Sequence, residues 1–472
     1  MVDVWSEGAA FGELRSLVSK RPGADAFARI CALIDEAEAA APGLYASRWR
    51  EYLASHLASW QPRQCAVKIE QSEQGAAAAS APWADLVKGV DLVRFDLSRA
   101  ADVDWVASEL REAFPLLEHL GLVEAVVRKS AIASACELGV FDELRSLSFD
   151  DCGLHLSTLT VLLERLEARE EVEHLRFAHC SMGVPQLERI CATTLAPRLR
   201  SLGLPVHAKF RADQAKVLAS RAPEFVALER LGLSNCMVAG AGAKALAEAS
   251  WGDSFKHLNL NRNGIRGMGV KALAERGLLG SIVEEGGERT LDLMGQQIGN
   301  KALQIVVDSG VLEGVEHLNL WDCNLTTLES LSAAEGLEKV RSLNLYGSHW
   351  ADREDGTALL EAISRMENLE RLTVARRGLS EDFVERLCAN TGARHLTSLE
   401  FDHYATCSPR DLEAVLGWSR FSELEHLVME LVLPDGDELI ARAVETGRFH
   451  GRHRSHRGDV VLSADAFDFY PE

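Results

Sequence analysis

Much of what a chain of this size needs for chemistry is missing. No two of its ten cysteines stand in Cys-x-x-Cys spacing, so no zinc site or dithiol redox pair of that kind is encoded, and ten in 472 residues are too sparse for a disulfide scaffold. Basic residues are in deficit, 50 against 71 acidic ones. The formal charge of -21 repels nucleic acid and anionic membranes and favours a basic partner. No apolar run approaches the about 18 residues that span a bilayer. The opening MVDVWSEGAAFGELRSL lacks the basic n-region, apolar core and cleavage site of a secretory signal. These absences predict a soluble, cytoplasmic protein. Enzyme signatures are absent as well: there is no G-x-x-x-x-G-K-[ST] loop, no H-E-x-x-H helix and no G-x-S-x-G elbow, and the glycines of GIRGMGVK are not in G-x-G-x-x-G spacing. A dispersed active site would leave no such motif, but the expectation is a protein that is not an enzyme and needs no cofactor.

What is present is one phrase, repeated. An apolar residue followed by x-x-L-x-L-x-x-N/C starts at Leu92, Leu117, Leu144, Val172, Leu199, Leu228, Phe255, Glu288, Val315, Val340, Leu369, Leu396 and Leu424. The thirteen starts recur with a mean period of about 28 residues, the length of the long leucine-rich repeats. The widest interval, 33 residues from Phe255 to Glu288, contains LLGSIVEEGGERT, where an inserted loop or a longer helix end is expected.

The spacing has a physical cause. The fourth and sixth positions are two apart and share the core side of a short strand, so the third, fifth and seventh point to its open side. The ninth position turns the chain, and an Asn or Cys there can bond backbone groups left unpaired; Asn263, Cys152, Cys180, Cys236 and Cys323 hold that place. Segments such as AGAKALAEAS, GVKALAERG and KALQIVVDSG then carry apolar residues at helical spacing. One strand and one helix cannot bury their own apolar face, so the units must stack, with a parallel sheet inside and helices outside.

The period and the helix phrases GAGAKALAEA and GVKALAERG resemble the ribonuclease-inhibitor type of leucine-rich repeat protein. The resemblance covers about residues 86 to 433 and implies an α/β horseshoe solenoid that binds a protein partner on its concave face. No motif carries ribonuclease inhibition itself, and the ribonuclease inhibitors are much richer in cysteine. The repeats also resemble those of the Ran GTPase-activating protein, which would imply regulation of a bound GTPase and make Asn259, Asn261, Arg262 and Arg371 the groups to test.

Three segments are expected: residues 1 to 85, a helical N-terminal cap or adaptor with a linker at QSEQGAAAASAP; 86 to 433, the solenoid; and 434 to 472, a C-terminal cap in which GDVVLSADAFDFYPE alternates like a strand and covers the sheet's end. Trp49, Tyr52 and Trp60 are read as core of the first. An assembly role through that helical segment is a further alternative.

Binding residues are sought on the open side. The seventh-position column reads Asn261, Met294, Trp321, Tyr346, and large apolar and aromatic side chains there either anchor a partner or fold over their own sheet. Beside it the fifth-position column reads Asn259, Asp292, Asn319, Asn344, which either offers acceptors to a basic partner or simply keeps the sheet soluble. Glu400, Asp402 and Glu430 add acid that would steer a basic protein. His119, His174, His257, His317 and His426 recur at the third position, too scattered to converge on one metal ion. The stretch GRFHGRHRSHR, 447 to 457, reads as a solvated loop, with metal ligation or phosphate binding as the alternatives.

Overall fold

The structure, a computed structural model, describes residues 4–19, 22–70, 78, 80–97, 99, 105–106, 108–204, 210–279, 283–285, 288–350, 356–401, 407–420, 423–431, 445, 453–454 and 460–462. They form two compact units, Met1–Met237 with Glu248–Asn259, and Val238–Ala247 with Leu260–Glu472.

The first unit begins with helices α1 (Val4–Ser19), α2 (Ala24–Ala40) and α3 (Arg50–Leu57), with a π-helical turn over Tyr45–Trp49. In α2 the spacing of Phe27, Ile30, Cys31, Ile34 and Ala37 makes one buried face. Trp49 and Trp60 are buried as expected, while Tyr52 is half-buried against Phe11, ring centroids 5.4 Å apart. The Lys88 ammonium donates to the carbonyls of Leu57, Ala58 and Trp60 at 2.8–3.1 Å, which caps the end of α3 and ties it to the start of the sheet.

Eight parallel strands follow in chain order: β1 (Ala66–Ile69), β2 (Gly89–Val93), β3 (His119–Val123), β4 (Ser146–Asp150), β5 (His174–Ala178), β6 (Ser201–Gly203), β7 (Arg230–Gly232) and β8 (His257–Asn259). Their register stacks Val90, Leu120, Leu147, Leu175, Leu202, Leu231 and Leu258 into one buried column, the fourth position of the repeat. It also corrects the first start: Val90 pairs with Leu120, so the repeat begins at Val87, five residues before Leu92, and β1 adds an unexpected strand ahead of it.

The second unit holds β9 (Val283–Glu285), β10 (Glu288–Asp292), β11 (His317–Asn319), β12 (Ser342–Leu345), β13 (Arg371–Val374), β14 (Ser398–Phe401), β15 (His426–Leu431), β16 (His453–Arg454) and β17 (Val460–Leu462). From β10 to β15 the sheet is parallel and in chain order. At each end it turns antiparallel. The wide interval before Glu288 is therefore a hairpin strand, β9, laid along β10. At the other end β17 pairs antiparallel with β15 and β16 pairs on β17, while the rest of GDVVLSADAFDFYPE lies outside the described residues. The rest of 447 to 457 lies outside the described residues. Among the described residues no helix is long and apolar enough to cross a membrane.

The strand-to-helix connection shows why the ninth residue matters. Buried Asn263 accepts the Val238 amide at 3.0 Å and donates to the carbonyls of Leu260 and Asn261 at 2.7 and 3.0 Å. Cysteine does part of this: the thiols of Cys152, Cys180 and Cys323 donate to Leu122, Phe149 and Leu293 carbonyls of the preceding repeat, at 3.3, 3.6 and 3.0 Å. The residue just before turns left-handed in successive repeats: Arg94, Glu124, Asp151, His179, Asn235, Arg262 and Asp322 all have φ between 48° and 58°. That twist ejects the chain from the strand at a cost of about 1 kcal/mol for each such residue.

Nine of the ten cysteines are buried, and Cys388 is half-buried. Burial pushes the thiols of Cys136 and Cys152 up to about 11 and those of Cys65, Cys180, Cys191 and Cys388 up to about 12. Little thiolate exists at pH 8, and dithiobis-nitrobenzoate is expected to modify fewer than about one thiol per native chain within minutes. After unfolding all ten should react. Rapid labelling of several native thiols would show that the ninth-position ladder is open to solvent.

Candidate interaction surface

In the second unit, the register lines up Asp292, Asn319, Asn344, Thr373 and Glu400 across five adjacent strands. The polar column is a row of caps as well as a surface. The side-chain oxygens of Asp292, Asn319 and Asn344 accept the amides two residues on, those of Met294, Trp321 and Tyr346, at 3.0, 3.2 and 3.0 Å. Asparagine and aspartate stand here because only a short side chain with an acceptor closes that turn. Each cap fixes where the next side chain stands, so the fifth position places the seventh.

The seventh-position side chains are neighbours in consequence. Trp321 and Tyr346 pack with ring centroids 4.7 Å apart at 50°, and both stay half-exposed. They pair with each other, and each keeps part of its surface exposed. No described residue accepts the Trp321 indole N–H, which leaves a donor beside two apolar ring faces. Met294 is half-exposed on the next strand, its sulfur accepting from the Arg262 guanidinium at 3.4 Å. Asn261 donates to the second Asp292 oxygen at 2.7 Å. Glu400, two strands beyond Asn344, accepts from Thr373 at 3.4 Å. Arg371 reaches His317 at 3.4 Å on the same face. Asn259 belongs to the first unit, where it accepts from Ser234 at 2.9 Å, and Asp402 lies outside the described residues.

Asp292 is the strained member. Burial raises its carboxyl above the usual carboxylate range, only partly offset by the Met294 amide, Arg262 and Asn319. A carboxylate raised on folding costs stability wherever it is ionised, and the cost vanishes as pH falls below its unfolded value of about 3.9. Asp292→Asn keeps the cap, and Asn261 can meet it by turning its own amide. The substitution is expected to stabilise the chain by about 0.5–1 kcal/mol at pH 7 and by close to nothing at pH 3.5, read from urea midpoints at the two pH values. An equal gain at both would place its origin outside the carboxylate.

The first unit presents a different open face, which motif reading passed over. His119 is fully buried; its Nδ1 bonds the Ser146 hydroxyl at 2.9 Å and its Nε2 faces Asp91 at 3.3 Å. Burial holds the imidazole below its ordinary value, with Asp91 working the other way. The Asp91 carboxylate occupies the space above Gly121: a Cβ there would lie 1.9 Å from its oxygen. The third-position histidine beside a fifth-position glycine was the available signal. Among the described residues no three His, Cys, Asp or Glu side chains are grouped to hold a metal ion.

Comparison with known proteins does not place the chain in a family. No family model matches, and no curated protein is similar in sequence. Among solved structures, the Rad7 and Elc1 complex of yeast is similar at 14% identity over 61% of this chain and 80% of that one, with a TM-score of 0.38. A TLR13–ssRNA13 complex is similar at 14% identity over 67% of this chain, which spans only 40% of that one, with a TM-score of 0.29. The repeat itself, one strand and one helix stacked through a leucine column, makes the chain a leucine-rich repeat protein of α/β solenoid class.

Proposed function

We propose that this chain is a non-enzymatic, cytoplasmic interaction scaffold of the ribonuclease-inhibitor-like kind, which holds a basic protein partner on the open face of its second unit. The observation that carries the reading is the Trp321–Tyr346 pair, half-exposed on the open side of a sheet whose fourth- and sixth-position apolar residues are buried. Paired aromatics on a rigid sheet bury much area for little lost entropy, which is why they dominate binding hot spots. Met294 extends the apolar strip. Asp292 and Glu400 flank it with acid, and the net charge of -21 favours approach by a basic protein.

The test uses the purified full chain as bait in lysate of its own host, at low and high salt, beside a Trp321→Ala/Tyr346→Ala variant. The expected result is a protein retained by the wild type, weakened by salt and lost from the variant. Retention by both baits would move the site off this face.

A further inference from the structure

The first unit buries part of its own open side. In β3 and β4 the third- and fifth-position residues His119, Gly121, Ser146 and Ser148 are buried, whereas from β6 to β8 the same positions are half-buried or exposed. His119 is the centre of this patch. Its Nε2 lies 3.3 Å from the Asp91 carboxylate and 3.5 Å from the Ser148 hydroxyl, and its Nδ1 lies 2.9 Å from the Ser146 hydroxyl. A carboxylate only accepts, so Nε2 carries the ring hydrogen and Nδ1 accepts from Ser146, which satisfies the neutral imidazole at both nitrogens. A second proton can enter only at Nδ1. The Ser146 hydroxyl would then have to turn round, and the new charge would sit where water does not reach it.

The ring also meets the segment ahead of the sheet. A Cβ on Gly89 would lie 2.7 Å from the Pro62 carbonyl oxygen and 3.2 Å from His119 Cδ2, so the 3-10 turn Pro62–Cys65 and the imidazole close on one point of β2. Helix α2 packs on this turn and on β1, and Lys88 holds the end of α3, so the turn carries the helical segment with it. The charged and titratable groups on the elements around the ring are Asp91 on β2, Asp150 on β4, His174 and Arg176 on β5, Arg63 in the turn and His56 on α3. Burial is what chiefly holds the imidazole below its ordinary value; Asp91 works against it and Arg63 with it.

We propose that His119 clasps the helical segment to the sheet when neutral and releases it when protonated, so that mild acid opens the first unit at this joint. Above about pH 6.5 the ring is neutral whether the joint is open or closed. Below it the open state takes up a proton that the closed state refuses, and opening gains up to about tenfold for each pH unit. Against burial, the hydrogen bond with His119 holds the Asp91 carboxyl below the usual carboxylate range, so Asp91 stays ionised throughout this window and contributes no slope of its own. The device lies wholly within the first unit and is independent of the binding face assigned to the second.

The test labels the native full chain with 4,4′-dithiodipyridine, which reacts in mild acid, at pH 7.5 and pH 5.5, locates the modified thiols by mass spectrometry and divides each rate by that of glutathione at the same pH. Cys65, fully buried at the end of the turn, and Cys31, buried on α2, should lose protection at pH 5.5 by at least about threefold, with about tenfold as the ceiling. Cys323 of the second unit should keep its protection. His119→Gln can still donate to Asp91 and cannot titrate, so it should remove the pH dependence at Cys65, while His56→Gln and His174→Gln should retain it. Unchanged protection of Cys65 in the wild type, an equal loss at Cys323, a folded His119→Gln that keeps the dependence, or its disappearance in either other variant would each overturn the proposal. If His119→Gln fails to fold, the wild-type comparison and the other two variants still decide it.

Discussion

Asn263→Ala is expected to destabilise the second unit by about 3 kcal/mol, the largest effect of any single polar substitution in the repeat turns. The side chain is 3% exposed, and its loss strands the Val238 amide and the Leu260 and Asn261 carbonyls where water cannot replace it. Each orphaned buried group costs about 1–3 kcal/mol, with some relief as the turn relaxes. Cysteine, which fills the same place in four other repeats, is the informative second variant. A thiol donates one weak hydrogen bond and accepts poorly, so Asn263→Cys should recover the contact to a carbonyl but not the Val238 amide. It should fall between alanine and wild type in a urea titration. A cost below about 0.5 kcal/mol for Asn263→Ala would mean that the turn finds its hydrogen bonds elsewhere, and the ninth position would lose its explanation.

That position was legible because its chemistry is local: a period of about 28 with Asn or Cys at one phase leaves few other folds. The same locality explains the errors. In VKGVDLVRFDL two phases fit the apolar spacing, and only the pairing of Val90 with Leu120 decides for Val87. β1 escaped notice because Val67 and Ile69 stand alone, with no repeat before them to set a phase. Later in the chain the ninth position of the repeat from Leu369 is neither Asn nor Cys. There the neighbouring Arg376 is buried, pairs with buried Asp411 at 3.2 Å and donates to the Leu379 carbonyl, a solution built from residues 35 apart that no periodicity announces.

The candidate surfaces divide along the same line. The register of one repeat predicts which side chains share a face, and the strand pairing places Asp292, Asn319 and Asn344 in one row. Spacing does not reveal what a side chain does once there. The caps from the fifth position to the seventh-position amide became visible only in the turn geometry.

For the second unit the decisive numbers are those of binding. Trp321→Ala and Tyr346→Ala are each expected to weaken a captured partner by about 2 kcal/mol, roughly thirtyfold, while changing stability little, because both rings are half-exposed and their amides are held by Asn319 and Asn344 whatever the side chain. The two losses should not add. The rings lie 4.7 Å apart, so removing either leaves the other without its support, and the double variant should lose less than the sum. Glu400→Gln should act differently, slowing association at low salt and having little effect at high salt, since a charge at the rim steers more than it holds. If instead Glu400→Gln abolished binding while Trp321→Ala left it intact, the partner would be held by charge alone, and the aromatic pair would be a packing device of the sheet.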